Sequence, residues 1–271
     1  MAGVGRLPGD LLTTRQRAYQ ARLAAKVAAD VAGRFSAVSA TDVVGQRNFI
    51  DAAIPIIVQA NRLSAASARK YAIEMSVLEG GSADEVRLAD PPAIEAIRTS
   101  LRVTGPVALR QKVTRIQVDK DKPAGARAVA AAKQQAAAGA AGAAVRHTLA
   151  GGRDTIEEYA EPGRGRKVRG YVRITREDDK VCYFCAMLAT RANYLEDSFD
   201  YSDQLFEGAG TAKVHDSCRC ILRPVYSKTL PESVLMYRRA WKAMSGGDGT
   251  AVNNFRRNWG KRTADWDEEV A

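Results

Sequence analysis

The spacing of apolar residues predicts helices through the first 150 residues of the chain. The first stretch carries large side chains on one helical face, at Tyr19, Leu23, Val27 and Val31. Thr13 and Gln16 have the spacing of a capping box, so this helix is expected to begin at Thr13. A second helix is expected to begin after Asp42, whose short polar side chain can accept a hydrogen bond from a free backbone amide.

Glycine and proline residues are expected to interrupt this helical pattern. Pro55 fits best in a first turn or at a kink, and Gly80-Gly81 is predicted to end a helix. Gly105-Pro106 is predicted to break the next one. The alanine-rich residues 126–145 are predicted to be helical, because alanine has the best intrinsic helix propensity. The sequence changes character at Gly151-Gly152, which suggests a domain boundary near residues 150–165.

Strands are predicted only after that boundary. Residues 168–175 alternate with period two, and residues 218–226 also favour a strand, so the two are expected to pair. The predicted fold class is α+β, with a mostly α-helical N-terminal domain (1–150), a small α+β metal-knuckle module (151–228) and a C-terminal helical tail (229–271). The tail helices, at about 231–244 and 250–259, are predicted to be docking elements, or alternatively to close the module's own core.

All four cysteines of the chain lie within residues 181–226. Cys182 and Cys185 have the spacing of a metal knuckle, in which two thiolates hold one ion. His215, Cys218 and Cys220 form the second group, and Cys218 and Cys220 would project to the same face of a strand. The expected ligands are Cys182, Cys185 and two of the other three. Four such ligands leave no open position, which is typical of structural zinc, so we predict a zinc cofactor and no catalytic residue.

Three other interpretations of the cysteines stay open: two disulfides, four reduced and merely buried thiols, and a cysteine–histidine nucleophile. The first 19 residues contain no secretory signal pattern, so a cytosolic start is expected, and a reducing compartment favours metal over disulfides. No apolar run reaches the roughly 18 to 20 residues of a membrane span, so no membrane partner is expected.

The net charge of +10 is concentrated in the middle of the chain. Residues 91–180 carry 18 basic and 10 acidic side chains, a local excess of +8. Such an excess indicates either proximity to DNA, RNA or an acidic protein surface, or a solvated helical face. No regular nucleic-acid motif accompanies it, and both interpretations stay open.

Two segments of the chain resemble the C-terminal module of phage Mu F-like head morphogenesis proteins, especially the version found in phages of actinobacteria. These segments are YVRITREDDKVCYFCAMLATRANY and KVHDSCRCILRPVY. The matching features are a strand at 171–175, a charged turn at 176–179, CxxCxxL ending at Leu188, and an HxxCxC strand. The resemblance covers residues 168–226. It implies a minor capsid protein that acts near the portal in capsid assembly, inside the head and in low copy number.

The resemblance also implies partners and a location. The expected partners are the portal, the major capsid or scaffold proteins, and possibly packaged DNA. The expected location is the virion, in the capsid interior or near the portal, and the host cytoplasm during assembly.

Enzyme activity is an alternative, because proteins of this kind are often labelled capsid maturation proteases. A serine protease triad needs a histidine, and the chain has only His147 and His215. No HExxH motif is present, although a Ser–Lys dyad is compatible with the sequence. A nucleic-acid-binding protein of the head interior is the other alternative.

Overall fold

Eight α-helices and three short strands make up the part of the chain that the computed structural model describes, residues 8–118, 125–161, 167–175, 181–190, 192–193, 218–227 and 229–261. The helices are α1 (Asp10–Phe35), α2 (Val43–Gly80), α3 (Ile94–Arg102), α4 (Ala108–Val118), α5 (Ala126–Tyr159), α6 (Tyr183–Ala189), α7 (Glu232–Met244) and α8 (Ala251–Trp259). The strands are β1 (Gly170–Ile174), β2 (Ala192–Asn193) and β3 (Ile221–Val225). The predicted α+β class, mostly helical, is therefore confirmed.

The long helices α1, α2 and α5 form a bundle, with α3 and α4 packed against α5. Its core contains Phe35 and Phe49, whose rings meet edge to face at 5.0 Å, together with Ile57 and Leu101. The buried residues of α5 in this core are alanines, such as Ala136 and Ala140. Small side chains let the neighbouring helix backbones approach closely, so the alanine-rich segment is a core helix of the bundle.

Two predicted helix starts have different outcomes. Asp42 caps α2 as predicted, since its side chain accepts a hydrogen bond from the Gly45 amide. The prediction for Thr13 is wrong, because α1 already begins at Asp10. The Thr13 hydroxyl lies inside the helix, where it donates to the Gly9 carbonyl and lies 2.9 Å from the Tyr71 hydroxyl.

The helical segments that contain Pro55 and Pro106 both continue past the proline. Helix α2 runs through Pro55, which is exposed between the buried Ile54 and Ile57, so packing of the apolar face holds the helix together across the missing hydrogen bond. At Gly105-Pro106 the chain makes a π-helical turn, Val103–Val107, and continues directly into α4. A wider turn accommodates the proline ring, which would clash in a regular α-helix.

Gly151 and Gly152, where the sequence changes character, lie inside α5, which continues to Tyr159. A Cβ on Gly151 would lie 2.4 Å from the backbone oxygen of Asn61, and one on Gly152 would lie 2.8 Å from the Ser64 hydroxyl. These glycines therefore let α5 cross close to α2. The Gly80-Gly81 end of α2 is confirmed, because Gly81 adopts the left-handed conformation with φ of 76°.

The sheet has the strand order β2-β1-β3, and both neighbouring pairs are antiparallel. The predicted pairing of the strands near 168–176 and 218–226 is confirmed, with Arg173 opposite Leu222. Tyr171 and Leu222 pack on residues of α2 and α5, while Val172 and Ile221 pack on Val234 of α7. The sheet is thus covered on both faces.

Helices α7 and α8 pack on the segment that carries the cysteines. Tyr237, Phe255 and Trp259 are buried in one cluster with Cys185 and Cys218, and the Trp259 indole donates to the Val181 carbonyl at 2.8 Å. The large apolar groups of the tail therefore close the core around the cysteines, which is the alternative to the docking interpretation.

Candidate metal centre

The first two candidate ligands lie at the start of α6. Cys182 is the N-cap residue, and its sulfur accepts a hydrogen bond from the Cys185 amide at 3.3 Å. Cys185 is in the first turn and is buried, whereas Cys182 is half-buried. An amide aimed at a sulfur stabilises a thiolate, so the local backbone has the form expected of a knuckle.

The second pair comes from the segment that enters β3. Cys218 and Cys220 lie directly before β3, and both are buried with 2% and 3% exposure. The sulfurs of Cys185, Cys218 and Cys220 all lie within 4.8 Å of one another. The two sulfurs are close enough to reach one ion, although β3 begins at Ile221 and not at residue 218 as predicted.

The separation of the Cys185 and Cys218 sulfurs is the one expected around a tetrahedral ion. Bonds of about 2.3 Å in a tetrahedron place neighbouring sulfurs about 3.8 Å apart. The Cys185 and Cys218 sulfurs are 3.7 Å apart, and Cys185 also hydrogen-bonds to Cys182 and Cys220. Cys182 is not among the three sulfurs that all lie within 4.8 Å of one another, and it adjoins that group through Cys185. We call the four sulfurs of Cys182, Cys185, Cys218 and Cys220 the cysteine cluster.

The disulfide interpretation is not supported, because all four cysteines are free thiols. A sulfur separation of 3.7 Å is far beyond the S–S bond of about 2.05 Å. The thiols are hydrogen-bonded instead, and hydrogen bonds from Cys185 and Cys220 lower the pKa of Cys218. Hydrogen bonding to Cys182, Cys218 and Cys220 raises the pKa of Cys185, which acts as a proton donor in the cluster.

Two buried arginines, Arg153 of α5 and Arg173 of β1, face the cluster. Arg153 donates to the backbone carbonyls of Cys218 and Cys220 at 2.9 and 3.1 Å, which fixes the segment that carries these cysteines. The Arg173 guanidinium lies 4.0 Å from the Cys218 sulfur. The attraction of both cations also lowers the pKa of Cys218.

These two arginines could not be identified as part of the site from the sequence. Both belong to the basic middle third of the chain, which was interpreted as a DNA-facing or solvated surface. No sequence signal separates them from exposed arginines in the same region, such as Arg102 or Arg110. His215, the fifth predicted ligand, lies outside the described residues.

In the part of the chain that the structure describes, the cavity that borders Cys220 is small. A cavity of about 10 Å³ borders Arg153 and Cys220, space for a single water at most.

Within the described ranges, no helix combines the length and the apolar character that a membrane span requires.

His147, the other histidine, lies away from the cluster at the contact between α5 and α3. Its Nε2 is 2.9 Å from the Ser100 hydroxyl, and Arg146 donates to the same oxygen at 3.0 Å. The sequence analysis did not associate His147 with a serine, because the two residues are far apart in the chain.

The fold and the site define a class: a mostly helical α+β protein with a buried cluster of closely spaced cysteines. The family described as VG15 protein matches residues 12–244, so the chain belongs to this family of phage and viral proteins. No curated protein and no solved structure matches the chain.

Proposed function

We propose that this chain is a minor capsid and head morphogenesis protein of the Mu F-like type, which acts near the portal during capsid assembly and carries a structural zinc site. Membership of a phage protein family supports the viral part of this proposal. The resemblance at residues 168–226 supports the finer assignment to a head protein.

The observation that carries the proposal is the position of the cysteine cluster. Its sulfurs meet where the two resembling segments come together, and the three buried ones lie within 4.8 Å of one another. A region of this size buries a small apolar core, so an ion that ties α6 to β3 adds stability. The Zn²⁺ ion, held by four soft ligands, would act as a structural tie and not as a catalyst.

Burial around the cluster supports a structural role. Cys185, Cys218 and Cys220 are each no more than 5% exposed, and they share a core with Tyr237 and Phe255 of the tail helices. A catalytic zinc keeps an open position for water or substrate, and four thiolate ligands in an apolar core leave none.

The experiment is a complementation test in the parent phage. An amber mutant in the gene for this chain is supplied in trans with the wild-type chain, with Cys218→Ser or with Gly33→Ala. Gly33 is exposed, and a Cβ added there meets no atom within 4 Å, so this variant is the control. We expect filled heads that contain the chain in low copy number with wild type and control, and defective heads with Cys218→Ser. Normal heads without any copy of the chain would contradict the proposal.

A capsid maturation protease is the second candidate, and the contact between Ser100 and His147 is the one observation that favours it. However, Arg146 donates to the Ser100 oxygen, and a hydrogen bond from a cation lowers the nucleophilicity of that oxygen. A fluorophosphonate probe should therefore leave Ser100 unlabelled, and the chain should not cleave the major capsid protein of its phage. Labelling that disappears in Ser100→Ala, together with specific cleavage, would establish the protease.

A further inference from the structure

Helix α4 and the first half of α5 carry positive charge without any negative charge. Between Glu95 and Asp154, the described residues include seven arginines and two lysines and no carboxylate side chain. Residues 119–124, which lie outside the described part, add two aspartates and two lysines and therefore no net charge. The local excess of positive charge thus belongs to the helices themselves.

Six of these nine cations reach the surface. Arg98 is paired with Asp51 and Glu95, Arg146 donates to a serine hydroxyl of α3, and Arg153 is buried. The remaining six are exposed or half-buried, and we call them the basic hairpin: Arg102, Arg110, Lys112, Arg115, Arg127 and Lys133.

Packing brings these cations to one region of the surface. A Cβ on Gly139 of α5 would lie 2.8 Å from the Thr104 carbonyl, and further along the chain Lys112 of α4 donates to Gln135 of α5. The contact point moves back along α5 as the chain advances towards α4, so the two segments are antiparallel neighbours. At 1.5 Å per residue, the row from Arg102 to Arg115 is about 20 Å long.

The side chains around these cations do not suit a protein partner. Protein interfaces depend on a few large apolar or aromatic anchors. The large exposed apolar residues of the described chain all lie outside α4 and α5. The exposed neutral positions of this part of α5 are instead alanines and glutamines, such as Ala131 and Gln134.

The same side chains suit the phosphates of a double helix. Single-stranded nucleic acid is held by aromatic rings on which its bases stack, and residues 105–146 contain no aromatic residue. A duplex keeps its bases stacked inside and presents phosphates, which arginine, lysine and glutamine side chains can bind.

The arrangement around α4 indicates binding that does not depend on base sequence. Arg110 and Arg115 are five residues apart, which places them about 140° from each other around the helix axis. The cations therefore do not line one face that could enter a groove and read base edges. Contacts to the backbone position a protein on DNA without reading its sequence.

We propose that the basic hairpin is a binding surface for the sugar–phosphate backbone of duplex DNA. The inference rests on the proposed function for the source of the duplex, which is the DNA packaged in the head. It adds to that function a partner and the surface that meets it.

The test is a titration of a fluorescein-labelled duplex of about 30 base pairs and arbitrary sequence with the zinc-loaded full chain. Fluorescence anisotropy gives the binding constant at salt concentrations from about 50 to 200 mM. If about four of the six cations contact phosphates, the logarithm of this constant should fall with the logarithm of the salt concentration with a slope of about −3.6.

The hairpin variant combines Arg110→Gln, Arg115→Gln and Arg127→Gln. All three side chains are exposed, so the variant should fold, and its circular dichroism and zinc content check this. Each lost phosphate contact flattens the salt slope by about 1, so we expect this variant to flatten it by about 2 to 3.

The matched control removes three exposed arginines from α1 and α2 and combines Arg22→Gln, Arg62→Gln and Arg69→Gln. It changes the net charge by the same amount and should flatten the salt slope by less than about 1. Equal flattening in both variants would overturn the inference, because net charge and not this surface would then govern binding.

Two competitors test the kind of partner. Unlabelled single-stranded DNA of the same length and poly-L-glutamate should both displace the labelled duplex less well than unlabelled duplex at equal charge. Stronger displacement by the single strand would overturn the assignment to a duplex, and stronger displacement by poly-L-glutamate would assign the surface to an acidic protein.

Failure of this inference is distinct from failure of the proposed function. A wild-type chain that is required for normal heads but binds no duplex at about 50 mM salt would overturn the inference alone. Normal heads without any copy of the chain would overturn the proposed function, and with it the packaged genome as the source of the duplex.

Discussion

The crossing of α5 over α2 can be tested by replacing a single glycine. Gly151→Ala would place a Cβ 2.4 Å from the Asn61 backbone oxygen and 2.9 Å from two atoms of its side chain. Asn61 cannot easily move away, because its amide donates to the His147 carbonyl at 2.8 Å in a buried contact. One of the two helices must therefore shift.

Two opposing effects set the size of the change. Alanine is favoured over glycine in a helix interior by about 1 kcal/mol, which would stabilise the variant. Overpacking against a backbone atom costs about 1–3 kcal/mol and occasionally more. Because the clash involves a backbone atom at 2.4 Å, we expect the cost of overpacking to be about 3 kcal/mol, at the upper end of that range. After the gain in helix propensity is subtracted, the free energy of unfolding should fall by about 2 kcal/mol.

The assay is urea unfolding of the zinc-loaded protein, followed by far-UV circular dichroism. Gly33→Ala is the matched control, since Gly33 also lies inside a helix and has no atom within 4 Å of the added Cβ. The control should gain up to about 1 kcal/mol. If Gly151→Ala is as stable as the wild type, or gains as much as the control, the close crossing of the two helices is wrong.

Three further predictions concern charge and the tail. Glu79→Gln removes the charge of a carboxylate that lies 2.8 Å from the buried Arg223, and it should lower the free energy of unfolding by about 2 kcal/mol. The control Glu74→Gln, at an exposed glutamate, should change that free energy by less than about 0.5 kcal/mol. Equal effects of the two variants would contradict the buried ion pair. Burial raises the pKa of Asp154 from 3.8 to about 6, so the charged carboxylate destabilises the fold fully only above about pH 6. Asp154→Asn should therefore raise the melting temperature at about pH 7.5, and this advantage should shrink below about pH 6 and disappear at about pH 4, where Asp154 is protonated in both the folded and the unfolded protein. An advantage that does not depend on pH would refute that assignment. Deleting residues 229–271 removes the buried Tyr237, Phe255 and Trp259. The truncated chain should retain zinc less well, while its helical bundle stays folded. Unchanged zinc retention would show that the tail does not close the core around the cysteines.

The spacing of apolar residues predicted most helices and the two main strands. Each of these elements buries one face, and apolar residues recur along the chain at the positions that lie on it. The meeting of Cys185 with Cys218 and Cys220 also followed from strand pairing and residue spacing. These features depend on local geometry, which a single sequence carries.

Features that depend on a neighbouring element escaped prediction. Gly151 marked only a change in sequence character, although its role is to admit Asn61 of another helix. Pro106 looked like a stop, although a π-helical turn carries the chain past it. Arg153 and Arg173 looked like surface charges, since only the folded chain brings them to the sulfurs. A glycine, proline or arginine has several possible roles, and tertiary contacts decide among them.

Elemental analysis of the reduced, full-length protein after removal of loosely bound metal tests the central claim most directly. The account predicts about one zinc ion per chain, lost in Cys185→Ser and Cys218→Ser, with unfolding of the region around the cysteines while the helical bundle persists. Less than about 0.2 zinc per chain in a protein whose β1–β3 region is still folded would contradict it, because the cysteines would then be core residues and not ligands.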